Sequence, residues 1–155
     1  LTLCLQTQAL AQNAQLEWQK LNEEGKQLLQ AGKMAEAEAK LKAALAVAQK
    51  LPPNDPHKID TLSGLAEVYN RQNKLAEAEN YHKQAISFAE KAVGEKNGAS
   101  NLASCLNNLA ALYYKQNKLA QAEALMIRAT STEEKALGPA DKGLIAGLSN
   151  LAQLY

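Results

Sequence analysis

The chain has 155 residues, with 17 basic against 16 acidic side chains and a net charge of +1; it lacks the concentrated basic surface that phosphate binding needs, so nucleic acid is not expected as its partner. Aromatic residues make up only 5% of the sequence while alanine is abundant, which favours close-packed helices over a sheet. No segment approaches the roughly 20 apolar residues of a membrane span, and Cys4 and Cys105 stand 101 positions apart without neighbouring ligand residues, which argues against a metal cluster or a structural disulfide.

The opening residues 1–13 carry no charge. They read either as the remnant of a secretory signal, with Leu1 to Leu5 ending its apolar core and Ala9-Leu10-Ala11 as a small-x-small cleavage site, or as an N-terminal helical extension. Localisation therefore stays open between exported and cytoplasmic. The chain begins with Leu and stops at Tyr155 inside a repeated pattern, so it reads as a fragment.

From Ala14 to Gln30 a helix is expected with Leu16, Leu21, Gly25 and Leu28 on one face, and with Trp18 capping the end of the first helix pair. Gly32 supplies a turn, because glycine just past a helix end adopts positive φ without steric cost. A second helix follows from Met34 to Lys50. Leu51-Pro52-Pro53-Asn54-Asp55-Pro56 breaks it, and Asp55 with Pro56 starts a third that runs to Gln72. Asn73 separates this from a helix over Leu75 to Val93. After the loop Gly94 to Gly98, helices are expected over Ala99 to Gln116 and Lys118 to Leu137, and a last one after Gly138-Pro139, capped by Asp141.

The segment Leu106 to Thr130, LNNLAALYYKQNKLAQAEALMIRAT, recurs through the chain. It returns as LSGLAEVYNRQNKLAEAENYHKQAI from Leu62, 44 residues earlier, and as LSNLAQLY from Leu148, 42 residues later. A fainter copy starts at Leu21, 41 residues before the second. An internal period near 42 residues marks a stack of helix pairs sharing a continuous core. The repeats fall at about 14–53, 54–97 and 98–139, with a half repeat at 140–155. Small residues recur where helices must approach closely, at Gly25, Ala66, Ala110 and Ala152 on the first helices and at Ala37, Ala78 and Ala122 on the second. Leu28, Tyr69, Tyr113 and Tyr155 fill one large position, and Leu21, Leu62, Leu106 and Leu148 another.

The pattern Leu-x-x-Leu-Ala-x-x-Tyr, a turn, then Ala-Glu and a later Ala resembles the tetratricopeptide repeat (TPR). The 42-residue spacing, the LNNLA-x-LY opening and the Glu134-Lys135-Ala136-Leu137-Gly138-Pro139 ending are similar to its kinesin light chain-like class. The resemblance implies an all-α, right-handed superhelical solenoid of antiparallel helix pairs over residues 14–155, about 3.5 repeats. The first copy departs from the class, with Gly25 and Leu28 where the others have Ala and Tyr.

Converging catalytic groups are not evident. His57 lies in a loop and His82 on a back-packing helix, where the resemblance places a packed ring; there is no phosphate loop and no paired metal-ligand motif. Glu23-Glu24, Glu36/Glu38 and Glu77/Glu79 sit beside lysines and read as solvated charge. Neither enzymatic activity nor a cofactor is expected. The resemblance implies instead a non-catalytic scaffold that binds a peptide segment in a concave groove. Its groove positions fall on Asn22, Lys26, Ser63, Glu67, Asn70, Arg71, Ser104, Asn107, Ala111, Tyr114, Lys115, Ser149 and Gln153. This set is polar and rich in amides, which pair with a peptide main chain as donor and acceptor at once. The Lys, Asn and Arg set that clamps a C-terminal carboxylate in co-chaperone repeats is not assembled, since Gly64, Ser104 and Asn108 occupy three of its places. The alternative is a recognition or regulatory arm of a larger enzyme, such as a protease. Leu148, Leu151 and Leu154 on an unpaired last helix also raise self-association.

Overall fold

The computed structural model describes residues 2–52, 55–94 and 97–137. The regular elements among them are the helices α1 (Thr2–Gln30), α2 (Met34–Ala48), α3 (His57–Arg71), α4 (Leu75–Lys91), α5 (Gly98–Lys115) and α6 (Leu119–Leu137). The expected last helix with Asp141, and Leu148, Ala152 and Tyr155 within it, lie outside the described residues. α1 runs unbroken through residue 14 to begin at Thr2. None of the described helices is long and apolar enough to cross a membrane.

Three turns are built alike. The backbone amide of Lys33 donates to Leu28 O, that of Lys74 to Tyr69 O and that of Lys118 to Tyr113 O, each at 2.9 Å. This bond closes a helix C terminus by wrapping the chain back over its last turn, which requires a left-handed residue just before the donor. Gly32 (φ 77°), Asn73 (φ 59°) and Asn117 (φ 58°) supply it. Glycine has no Cβ to clash there, and asparagine is among the few side chains that tolerate the region. At the start of α3, Pro56 sits at φ −64° and Asp55 Oδ1 accepts the His57 amide at 2.9 Å, satisfying one of the open donors of the first turn.

The chain divides into two compact units between Ala78 and Glu79. In the first, α1 packs on α2 and α2 on α3. The centre of that packing is Leu41, which is fully buried. A Cβ at Gly25 would lie 2.7 Å from Leu41 Cγ, so α1 reaches α2 this closely only because residue 25 has no side chain. Ala37, Ala44, Leu62, Leu65 and Ala66 complete the core. Trp18 is buried against Ala44, Val47, Ala48 and Leu51, with Ala14 and Leu21 alongside.

The inward stripe of α1 differs from the expected one. Trp18, Asn22, Gly25 and Leu29 are buried, at spacings of four, three and four residues, while Leu16 is 60% exposed. Leu16 lies two residues before Trp18, about 200° around the helix, and so points away from α2.

In the second unit α5 packs on α6. Leu102, Leu106, Leu109, Ala110, Leu112 and Tyr113 are buried on α5, facing inward with Ala122 and Ala129 of α6. Cys105 is buried, 2% exposed. Leu119, at the start of α6, is 44% exposed; the buried stripe of that helix runs through Ala122, Ala129 and Glu133.

Candidate protein-interaction surface

In the first unit, the polar residues at the start of α3 are bound into one network with α1. Trp18 Nε1 donates to Thr61 Oγ1 at 2.8 Å, and Thr61 Oγ1 lies 3.0 Å from His57 O and 3.4 Å from Asn22 Oδ1. A hydroxyl carries one proton, so it donates to one of these two oxygens at a time while accepting from the indole. The His57 ring sits 3.9 Å from the Trp18 ring, tilted by 54°, and its Nδ1 contacts Asp55 Oδ1. Asn22 Nδ2 donates to Asp60 Oδ2 at 2.6 Å, and Lys26 Nζ donates to Asp60 Oδ1 and Oδ2 at 2.8 and 2.7 Å.

Two of the expected groove residues are therefore engaged within the chain. Asn22 is buried, 4% exposed, and Lys26 is paired with Asp60. Further along α3, Arg71 Nε donates to Glu67 Oε1 at 2.7 Å, Asn70 Nδ2 to Glu67 Oε2 at 3.3 Å, and Arg71 Nη1 to the carbonyl of Leu29 at 3.3 Å. Ser63 is half-buried. Asp60 and Thr61 were missed by sequence reasoning. The signal for Asp60 was present: residues 60, 63, 67 and 70 follow the helical repeat, and the polar stripe begins one turn earlier than the groove positions carried over from the resemblance.

In the second unit, α5 presents Ser104, Ala111, Tyr114 and Lys115 to solvent, and Tyr114 is 54% exposed. Asn107, on the same side of the helix, is half-buried; its Oδ1 is shielded from water and has no hydrogen-bond partner. Ser149 and Gln153 lie outside the described residues, as do Leu148, Leu151 and Leu154.

The acidic side chains are not uniformly solvated. Glu38 and Glu79, expected as surface charge, are only 21% and 22% exposed in their side chains. Glu38 accepts from Lys42 at 2.7 Å and from Tyr69 Oη at 2.8 Å, and these bonds, that from Lys42 foremost, hold its carboxyl down at about 2. Glu79 is lowered in the same way by Lys83 first and then by Tyr113, whose Oη donates to it at 3.0 Å. Burial, with the adjacent Glu79 carboxylate, pushes the Tyr113 phenol up. The Lys74 and Lys118 ammonium groups lie 5.6 and 5.1 Å from the centres of the Tyr69 and Tyr113 rings, within the range of cation–π attraction. His82 is buried, 6% exposed, within α4. Among the described residues no group of His, Cys, Asp and Glu is arranged to hold a metal ion.

Models of the tetratricopeptide repeat match residues 19–91 and residues 102–141. The chain belongs to the tetratricopeptide repeat family. The TPR fold is also shared with solved structures. BtubC (BKLC) from P. vanneervenii superposes with a TM-score of 0.72 at 20% identity, over 96% of this chain and 65% of that one. A kinesin light chain with nearly identical TPR-like repeats from Podosopora anserina gives 0.69 at 20% identity, over 88% and 64%. The first TPR of Spaghetti (RPAP3), solved with the HSP90 peptide SRMEEVD, gives 0.58 at 20% identity, over 92% and 93%. The chain thus spans 65% and 64% of the length of the first two. At such identities the likeness is one of fold, and the repeat spacing agrees with the kinesin light chain-like class. No curated protein sequence matches the chain.

Proposed function

We propose that this TPR chain is a non-catalytic scaffold that holds an extended peptide segment of a partner protein, with α5 as the principal contact. The observation that carries this reading is the open face of α5, where Ser104, Ala111 and Tyr114 are exposed and Asn107 is half-buried among them. An asparagine amide pairs with a main-chain N–H through its oxygen and with a main-chain carbonyl through its nitrogen. A peptide main chain offers one such donor at nearly every residue. Exposed Tyr114 supplies an amphipathic ring two turns beyond Asn107 along the same face, and Ala111 between them leaves the helix surface flat enough for a backbone to approach. In the first unit, Ser63 and the outer flank of Glu67, Asn70 and Arg71 offer further contacts, but their mutual bonds leave fewer groups for a ligand. The first TPR of Spaghetti, solved bound to a peptide, shares this fold.

The test is selection of heptapeptides from a random display library on the wild-type chain. The selected peptides should bind Asn107→Ala and Tyr114→Ala about tenfold more weakly, the scale of one lost buried hydrogen bond or aromatic contact. Glu36→Ala, on an exposed stretch of α2, is the control and should bind unchanged. Peptides that bind all of these variants equally would remove α5 from the reading.

A further inference from the structure

We propose that Asp60 acts as a built-in ligand carboxylate, filling a carboxylate-binding site on α1 and thereby making this face refuse acidic peptides. Three donor contacts converge on its two oxygens, one from Asn22 Nδ2 at 2.6 Å and two from Lys26 Nζ at 2.8 and 2.7 Å. The Asn22 donor is set independently of Asp60. Asn22 is 4% exposed, and its Oδ1 faces the Thr61 hydroxyl, itself fixed by Trp18, so the amide is turned with its N–H₂ toward the position of the carboxylate. That leaves an oriented amide, with the Lys26 ammonium one helical turn further along α1, matched together to one carboxylate group.

The site also opens to solvent. The side chains of Lys26 and Asp60 are 39% and 43% exposed, so an external carboxylate has a path to the same donors. It meets two obstacles, both supplied by Asp60: the donors are already taken, and a negative charge stands where the incoming one must go. Removing that charge exchanges an intramolecular partner for an intermolecular one. This inference rests on the first unit alone and is independent of the reading of α5.

The probe is the tetrapeptide N-acetyl-Gly-Asp-Gly-Asp, with its Asn-containing, C-terminally amidated counterpart as the uncharged control, followed by ¹H–¹⁵N chemical shifts of the chain. Two variants free the donors, Asp60→Asn with nearly the same shape and Asp60→Ala with more space, each verified by its helical circular dichroism. Both should bind the acidic peptide at least about fivefold more tightly than wild type, the scale of one partly exposed charge pair. Adding Lys26→Gln to either should abolish the gain, and Glu36→Gln, which changes net charge equally, should produce none. The proposal is overturned if folded Asp60 variants bind no better than wild type, if the gain survives Lys26→Gln, or if the Lys26 resonances of wild type already shift with the acidic peptide.

Discussion

Tyr69 Oη donates a 2.8 Å hydrogen bond to Glu38 Oε1, joining the last turn of α3 to α2, and Tyr113 Oη repeats the arrangement on Glu79 at 3.0 Å. In each case a lysine four residues after the glutamate, Lys42 or Lys83, binds the same carboxylate. The large position of the repeat thus does two things: its ring fills the core while its hydroxyl fastens a carboxylate on the neighbouring helix.

An acid dependence follows from this latch. The Glu38 carboxyl lies at about 2 against an ordinary 4.5. A carboxylate lowered on folding stabilises the protein above its unfolded value, and the contribution disappears as pH falls from 4.5 toward 2. Lys42 is half exposed, so solvent screens the pair and the contribution is about 1 kcal/mol. Glu38→Gln keeps an acceptor for Tyr69 and removes only the charge. Urea unfolding should show it about 1 kcal/mol less stable than wild type at neutral pH and equal to it in strong acid. A constant difference across that range would contradict the assignment.

Gly25 and Gly64 both face Leu41, yet they should respond oppositely to alanine. A Cβ at Gly25 would stand 2.7 and 2.9 Å from Leu41 Cγ and Cδ2, so Gly25→Ala overpacks the contact and should cost about 1–3 kcal/mol. A Cβ at Gly64 would stand 3.3 Å from both Leu41 methyl groups, which a small rotation of the leucine relieves. Alanine also restricts the unfolded chain and favours helix by about 1 kcal/mol. Thermal melts should therefore place Gly64→Ala at or above wild type and Gly25→Ala clearly below it.

The buried Thr61 hydroxyl should matter more than its methyl group. Thr61 is fully buried and accepts the Trp18 indole N–H. Thr61→Val preserves shape but leaves that N–H without a partner, for a loss of about 1–3 kcal/mol. Thr61→Ser retains the acceptor and should cost about 1 kcal/mol. Chemical unfolding monitored by emission of Trp18, the single tryptophan, reports both. Equal losses would show that packing, not the hydrogen bond, holds the ring.

The parts of the fold legible in the sequence were those governed by local rules. Gly32, Asn73 and Asn117 marked the turns because a left-handed residue is restricted to few side chains, and Ala37, Ala66, Ala78, Ala110 and Ala122 marked the close approaches because little else fits. The polar network was less legible, since it depends on which side chains from distant segments meet. Asp60 and Asn22 are 38 positions apart, and nothing local to either predicts that they bond. Glu38 and Glu79 were misjudged for the same reason: beside lysines on a helix they resemble surface charge, and only the tyrosine arriving from another helix removes them from water. On α5 the alternation of inward and outward residues was readable, whereas the unpaired state of Asn107 Oδ1 required the packed neighbours.

Leu41 reaches into two glycine notches, one on α1 and one on α3. Gly25 and Leu41 are consequently not free to vary one at a time, whereas Gly64 has room for alanine. Shortening the leucine would leave holes on both flanks, while a larger residue in the Gly25 notch is admissible only once the leucine has receded, so the order in which substitutions arrive determines whether each is harmful or harmless. The first repeat, which departs from its siblings by carrying Gly25 where they carry alanine, holds its helices together through a mutual dependence that can be changed only as a set.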